Sequence, residues 1–148
     1  MSETYAEGNT AGRIGRSAGR SVILRSIGAV VAGIVAGVAL TLATDAVLHA
    51  VGVFPPLGQP ASDGPLLLAT GYRIVFGIFA GYITARLAPY RPMAHAMTGA
   101  FVGFVVSIAG AIVTWNRAAT FGPHWYPVAL ILTALPCGWV GGRLWDRA

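Results

Sequence analysis

Lysine is absent from this chain of 148 residues, and only five side chains are acidic. Charged residues make up 10% of the whole, where a soluble domain of this size carries about a quarter. That scarcity excludes a charge-rich coiled coil and a solvated disordered chain. Cysteine occurs once, at Cys137, which excludes a disulfide-built secreted module. No Gly-x-x-x-x-Gly-Lys, His-Glu-x-x-His, Gly-x-Ser-x-Gly or Cys-x-x-Cys pattern is present, so the usual signatures of nucleotide binding, zinc proteolysis, ester hydrolysis and dithiol exchange are missing. The glycines at Gly12, Gly15 and Gly19 follow no strand and form no phosphate loop. Glu3 and Glu7 use two of the five carboxylates at the N-terminus. An enzyme is not expected.

What the chain has is apolar length. Hydrophobic residues reach 55%, and they come in runs rather than in a stripe along one face. A spanning helix needs about 20 mostly apolar residues to cross about 30 Å of hydrocarbon. Four segments meet that length, at about 27–48, 66–87, 95–115 and 125–144. Breakers separate them: Pro55, Pro56 and Pro65, then Pro89 and Pro92, then Gly122-Pro123. The expected fold class is all-α, an integral membrane four-helix bundle over residues 27–148.

Residues 1–26 differ in kind. Met1 to Gly12 is small and polar and is expected to be disordered. Arg13, Arg16, Arg20 and Arg25 follow among Gly and Ser. The apolar run after them is longer than a signal-peptide core and ends at no Ala-x-Ala site, which favours an uncleaved first span. Alternating helices place Arg13, Arg16, Arg20, Arg25, Arg86, Arg91, Arg143 and Arg147 on one side. Only Arg117 lies in a loop on the other side, and Arg73 falls within the second span. The positive-inside rule then puts both termini in the cytoplasm, with Trp115, Phe121, Trp125 and Tyr126 in the outer aromatic belt and Tyr90 and Trp145 in the inner one. The same rule accounts for the basic balance without nucleic acid. The arginines flanking the bilayer instead meet anionic lipid, at about 1 kcal/mol each, so the lipid bilayer is the first partner.

The halves of the chain resemble each other. Gly28-Ala29-Val30-Val31 matches Gly99-Ala100-Phe101-Val102, and the run from Gly81 to Leu87 matches that from Gly138 to Leu144. A duplicated transmembrane hairpin, repeated about an axis along the membrane normal, is one reading; chance likeness among Gly- and Ala-rich helices is the other. Small residues recur four apart in every span: Gly33 and Gly37, Gly77 and Gly81, Gly99 and Gly103 with Ser107, Gly138 and Gly142. In lipid, backbones associate by close approach at such positions. These stripes are expected to pack the bundle, with a stripe left over for a homo-oligomer or a larger membrane complex.

The stretch from Gly81 to Ala88, a short turn, and then His95-Ala96-Met97-Thr98-Gly99-Ala100 resembles the centre of uncharacterised small four-helix bacterial membrane proteins. In those, a Gly-x-x-x-Ala-Arg-type helix end leads through a short loop to a His-Ala/Gly helix start. The resemblance covers about 20 residues and rests on residue types that membrane helices use freely. It implies four helices and no particular chemistry, and it stops short of the outer segment from Val53 to Pro65.

Asp45, His49 and Arg73 are the most informative polar residues in or beside the spans. Asp45 lies about 27 Å along its helix from Ile27, and Arg73 about 12 Å from Pro65, which brings both towards the outer leaflet. His49 follows Asp45 by one turn on the same face. Ionisable groups in a span usually pair or face a wet cavity. One reading is a structural Asp45–Arg73 pair with His49 at the boundary; the other is an outward site for a solute, ion or proton. The repeat aligns Asp45 with Asn116 and Arg73 with Leu130, so the charges belong to one half only and favour the structural pair. His49, His95 and His124 offer no converging set with carboxylates or thiols, so no metal and no cofactor is expected. Pro136 removes a backbone hydrogen bond in the fourth span and marks a kink or a hinge. Cys137 beside it reads as a packing residue.

Overall fold

The computed structural model describes residues 3–56, 58–117 and 121–148, with side chains from residue 19 onward. Its long helices are α1 (Glu3–Ala50), α2 (Asp63–Leu87), α3 (Pro92–Thr114) and α4 (Trp125–Asp146), with one 3₁₀ turn at Trp115–Arg117. All four are long and apolar enough to cross a membrane. The chain is therefore an all-α four-helix bundle of a multi-pass membrane protein.

Helix bounds follow local chemistry. Ser62 is the extended residue before α2, and Pro65 falls in the first turn, where its missing N–H has no helical partner to lose. Asp63 in that turn suits the positive end of the helix, and it also accepts a 2.8 Å hydrogen bond from Trp125 Nε1. The second and third helices thus begin three residues earlier than the apolar runs suggested. At the tight turn on the arginine-rich end of the bundle (the inner end, the opposite one being the outer), α2 closes at Ala88 before Pro89, and α3 restarts with Pro92 at its first position. Arg91 between them takes a left-handed φ of 41°, a conformation uncommon outside glycine. Gly122 has a φ of 89°, and a Cβ there would stand 3.2 Å from Ala61 O and Leu66, so the outer turn requires glycine twice over.

α1 continues unbroken through residues 19–26 into the first span, so this part of the leader is helix rather than a separate disordered segment. No proline lies between Arg13 and Ile27, and isolated Gly costs a helix only about 1 kcal/mol each. The side chains of Arg13 and Arg16 lie outside the described residues.

The bundle is inverted in polarity, as a bilayer requires. Leu24, Ile112 and Leu132 are about 70% exposed, an arrangement water would not tolerate over so many side chains. The interior is made of small residues: Ala85 and Ala96 are sealed, and Thr84 is the largest fully buried side chain. α2 is central, packing along α1, α3 and α4; α4 packs along α3, while α1 meets α3 only briefly.

Six of the eight glycines expected at helix contacts are close against a neighbour. A Cβ at Gly33 would collide with Thr84 Oγ1 and lie 2.6 Å from Ala80 O. One at Gly37 would lie 3.1 Å from Ala80 Cβ, one at Gly77 3.1 Å from Cys137 Cβ, and one at Gly142 2.8 Å from Met93 Sδ. Gly81 on α2 faces Gly138 on α4, with a Cβ at Gly81 only 3.1 Å from Gly138 Cα. These two glycines are the positions that the internal repeat equates. Two parallel helices crossing at equivalent residues fit a two-fold axis along the membrane normal. The α3 pair departs from expectation. Gly99 has only ordinary contacts, and a Cβ at Gly103 would meet nothing within 4 Å. Gly103 is exposed and is no packing residue within the subunit.

Candidate functional site

Helix direction brings the charged residues together. The Cα–Cβ bond of a helical residue leans towards the helix N-terminus. α2 runs inward from its outer N-terminus, so Arg73 leans outward; α1 runs outward, so Asp45 leans back inward. Their side chains converge, and Arg73 Nη2 lies 2.8 Å from Asp45 Oδ2. The same outward reach takes Arg73 Nη1 to the phenol oxygen of Tyr126 at the head of α4, to which it donates. Tyr72, one residue before Arg73, donates its hydroxyl to Asp45 Oδ1. Arg73 also lies over the Tyr126 ring, 5.6 Å from its centroid.

The result is a clamp of four side chains joining α1, α2 and α4. Both carboxylate oxygens of Asp45 and both terminal nitrogens of Arg73 are engaged, while Arg73 Nε is buried without a partner. Asp45 and Arg73 side chains keep 22% and 28% of their exposure. The charges therefore cancel where they stand, and their hydrogen bonds are directed at one another.

His49 does not join them. Its Nδ1 lies 2.8 Å from the backbone oxygen of Asp45. A carbonyl only accepts, so Nδ1 carries the proton. The ring also meets Phe54 edge-on at 5.2 Å. The four-residue spacing placed His49 on the right face, but one turn lies nearer to its own helix carbonyl than to a neighbouring helix. Tyr72 and Tyr126 were not anticipated as site residues. Tyr126 stood in the outer aromatic belt, and nothing in its spacing marked it as a partner of the half-buried Arg73.

The remaining candidates separate from this site. His124 Nε2 bonds Trp115 O at 2.7 Å, and His95 is buried beneath Tyr90 at the inner end with Nδ1 3.2 Å from Arg91 O. Among the described residues no group of three His, Cys, Asp or Glu side chains could hold a metal. Pro136 lies inside an uninterrupted α4. The turns after it are tightly seated: Gly138 against Ala100, and Gly141 against Ile78 O and the Tyr82 N–H. Cys137 is buried there against α2, where Gly77 makes room for it.

Below the clamp lies a cavity of about 360 Å³, bounded by all four helices. Arg73 forms its outer end, Thr84 and Gly33 its inner end, and Gly103 and Ser107 part of the α3 wall. The Thr84 hydroxyl is directed at Ala80 O, 2.9 Å away, and that of Thr133 at Ala129 O, 2.8 Å away.

Fold and site together define a multi-pass helical membrane protein with a neutralised polar clamp above a largely apolar interior space. No family model, curated protein or solved structure matches the chain.

Proposed function

We propose that this chain is a non-enzymatic protein of the bacterial inner membrane, with both termini in the cytoplasm, serving as a small accessory or scaffold subunit. The observation that supports this most is the closed clamp. Both carboxylate oxygens of Asp45 and both terminal nitrogens of Arg73 are taken up within the group, with Tyr72 and Tyr126, and together they tie three helices. A titrating or ion-binding site would leave ligand positions open. The close glycine faces serve the subunit's own packing, so association with a second copy or a larger complex falls to its broad apolar flanks. Native mass spectrometry of protein extracted gently from its own membrane tests the proposal. A defined heteromer is expected; a homo-oligomer with no other subunit overturns the accessory role.

A second reading is a small oligomeric transporter or channel using Asp45, His49 and Arg73 at an outward vestibule. Its one support is that Arg73 also borders the central cavity. A carrier of this kind loses flux in Asp45→Asn with assembly unchanged, whereas a clamp loses stability.

A further inference from the structure

The central cavity has a roof and a floor but lacks one wall. Its outer end is Arg73, fixed to α1 through Asp45 and to α4 through Tyr126. Its inner end is the junction at Thr84, where Gly33 of α1 and Gly99 of α3 close in; the latter would bring a Cβ 3.7 Å from Thr84 Oγ1 and 3.8 Å from Val30. Outward of that junction α1 and α3 part. Val38 and Leu42 line the cavity from α1 and are still 51% and 62% exposed, and Gly103 opposite them is exposed too. The opening therefore lies sideways, between α1 and α3, at bilayer depth.

Size decides what fits. Thr84 and Arg73 are about 16 Å apart along α2 at 1.5 Å per residue. The space is long, narrow and bounded by all four helices of the one subunit, a shape that suits one extended hydrocarbon chain. Polarity adds a second condition. Thr41 of α1 and Ser107 of α3 line the space on either side of the opening, and neither has a hydrogen-bond partner among the described residues. A hydroxyl left unpaired in hydrocarbon is costly. Because Asp45 already neutralises Arg73, the space favours an uncharged oxygen function over an anion.

We propose that the cavity is a laterally opened binding site for one hydrocarbon chain bearing an uncharged carbonyl or hydroxyl group, taken from the bilayer. This goes beyond the accessory-subunit reading and does not depend on it. A membrane glycerolipid and a free prenyl quinone both supply this chemistry.

The test uses the full chain in discs of its own membrane and a 16-carbon acyl probe carrying a photoactivated diazirine near mid-chain. Labels are expected on the cavity walls of α1 and α3, around Thr41 and from Gly99 to Ser107. A Cβ at Gly103 meets nothing within 4 Å, so Gly103→Phe has room to start a ring into the space, and it is expected to reduce those labels about tenfold, the loss of about 1.4 kcal/mol of affinity. Gly110→Phe, on the same helix outside the cavity, should leave them unchanged, and Gly103→Leu repeats the block with a smaller side chain. Thr41→Val with Ser107→Ala should weaken capture of an ester-bearing probe but not of a plain alkane probe. A benzoquinone with a ten-carbon tail, added as competitor, separates the sources: displacement assigns the site to quinones, and retention assigns it to acyl lipids. Labels spread evenly over lipid-facing residues such as Val35 and Ile112 and indifferent to Gly103→Phe would overturn the proposal, as would a crosslink placing a second copy's helix at Gly103.

Discussion

At the residue scale, the clamp explains why a span can hold an aspartate and an arginine at all. Each charge needs the other, and the phenols of Tyr72 and Tyr126 take up one further atom of each, Asp45 Oδ1 and Arg73 Nη1. Removing one charge leaves its partner uncompensated, which costs about 3–5 kcal/mol for a fully buried pair; with about a quarter of each side chain exposed, about 1–3 kcal/mol is expected by the same principle. Asp45→Asn and Arg73→Gln should each lower the unfolding midpoint in detergent, and the double variant should regain part of the loss. A double variant whose loss is the sum of the singles would show that the pair carries no coupling. Tyr126→Phe removes one acceptor and should cost about 1 kcal/mol, read in the same melts. The Asp45–Arg73 pairing was legible in the sequence because charges in a span seek each other. The phenols were not, since depth in the bilayer depends on how far Arg73 reaches along α2, and side-chain reach is no property of spacing. His49 was read on the face of Asp45, either at the boundary or in the polar cluster, and periodicity alone does not decide between a neighbour's side chain and the helix's own carbonyl, which is where its Nδ1 bonds.

At the element scale, the four spans were legible to within a few residues, except at the start of the first, because hydrocarbon imposes length and breakers impose ends. What the runs could not show was the continuity of α1 through the arginine-rich leader, where nothing apolar marks the helix. The glycine stripes were legible as small residues at helical spacing, but not their unequal use. That inequality gives a direct comparison. Gly138→Val must displace Ala100, and Gly81→Val must part the α2–α4 crossing, so each is expected to destabilise the bundle by about 1–3 kcal/mol, the usual range for overpacking. Gly103→Val enters open space and is expected to change stability little, with a small gain from replacing glycine in a helix. Thermal unfolding of the three variants in one detergent measures the contrast; equal losses at Gly103 and Gly138 would mean that the α1–α3 opening is filled by protein. Packing also bears on Pro136. The residues that follow it are the best seated of α4, so a swing of the inner half would have to separate Gly138 from Ala100 and Gly141 from Ile78. A static kink costs none of these contacts.

At the scale of the whole molecule, charge and helix order act together to set orientation. Arg20 and Arg25 flank the start of the first span, Arg86 and Arg91 border the α2–α3 turn, and Arg143 and Arg147 close α4. Helices of alternating direction put all six at one end of the bundle, where Arg86 lies over Trp145 and Arg143 over Trp139. The opposite end carries Arg117 alone, beside aromatic residues that bond into the outer loops. An excess of arginine resists translocation, so the arginine-rich end is expected to stay in the cytoplasm. The chain offers a clean way to test this, because its one cysteine is buried in α4. In a Cys137→Ala background, cysteine placed at Arg117 should react with a membrane-impermeant thiol reagent on intact cells, and cysteine at Ala148 only after the membrane is opened. Moving the bias supplies the causal half of the test. Replacing Arg86, Arg91, Arg143 and Arg147 with glutamine, while adding arginines beside Arg117, should give a mixed population in which both positions react from outside. If labelling keeps its original side after that exchange, orientation is fixed by the continuous basic α1 and the later arginines have another duty. That duty would be electrostatic, since each cation at the surface of an anionic leaflet contributes about 1 kcal/mol of attraction, and it would then show as salt-sensitive binding of anionic lipid at the α2–α3 turn.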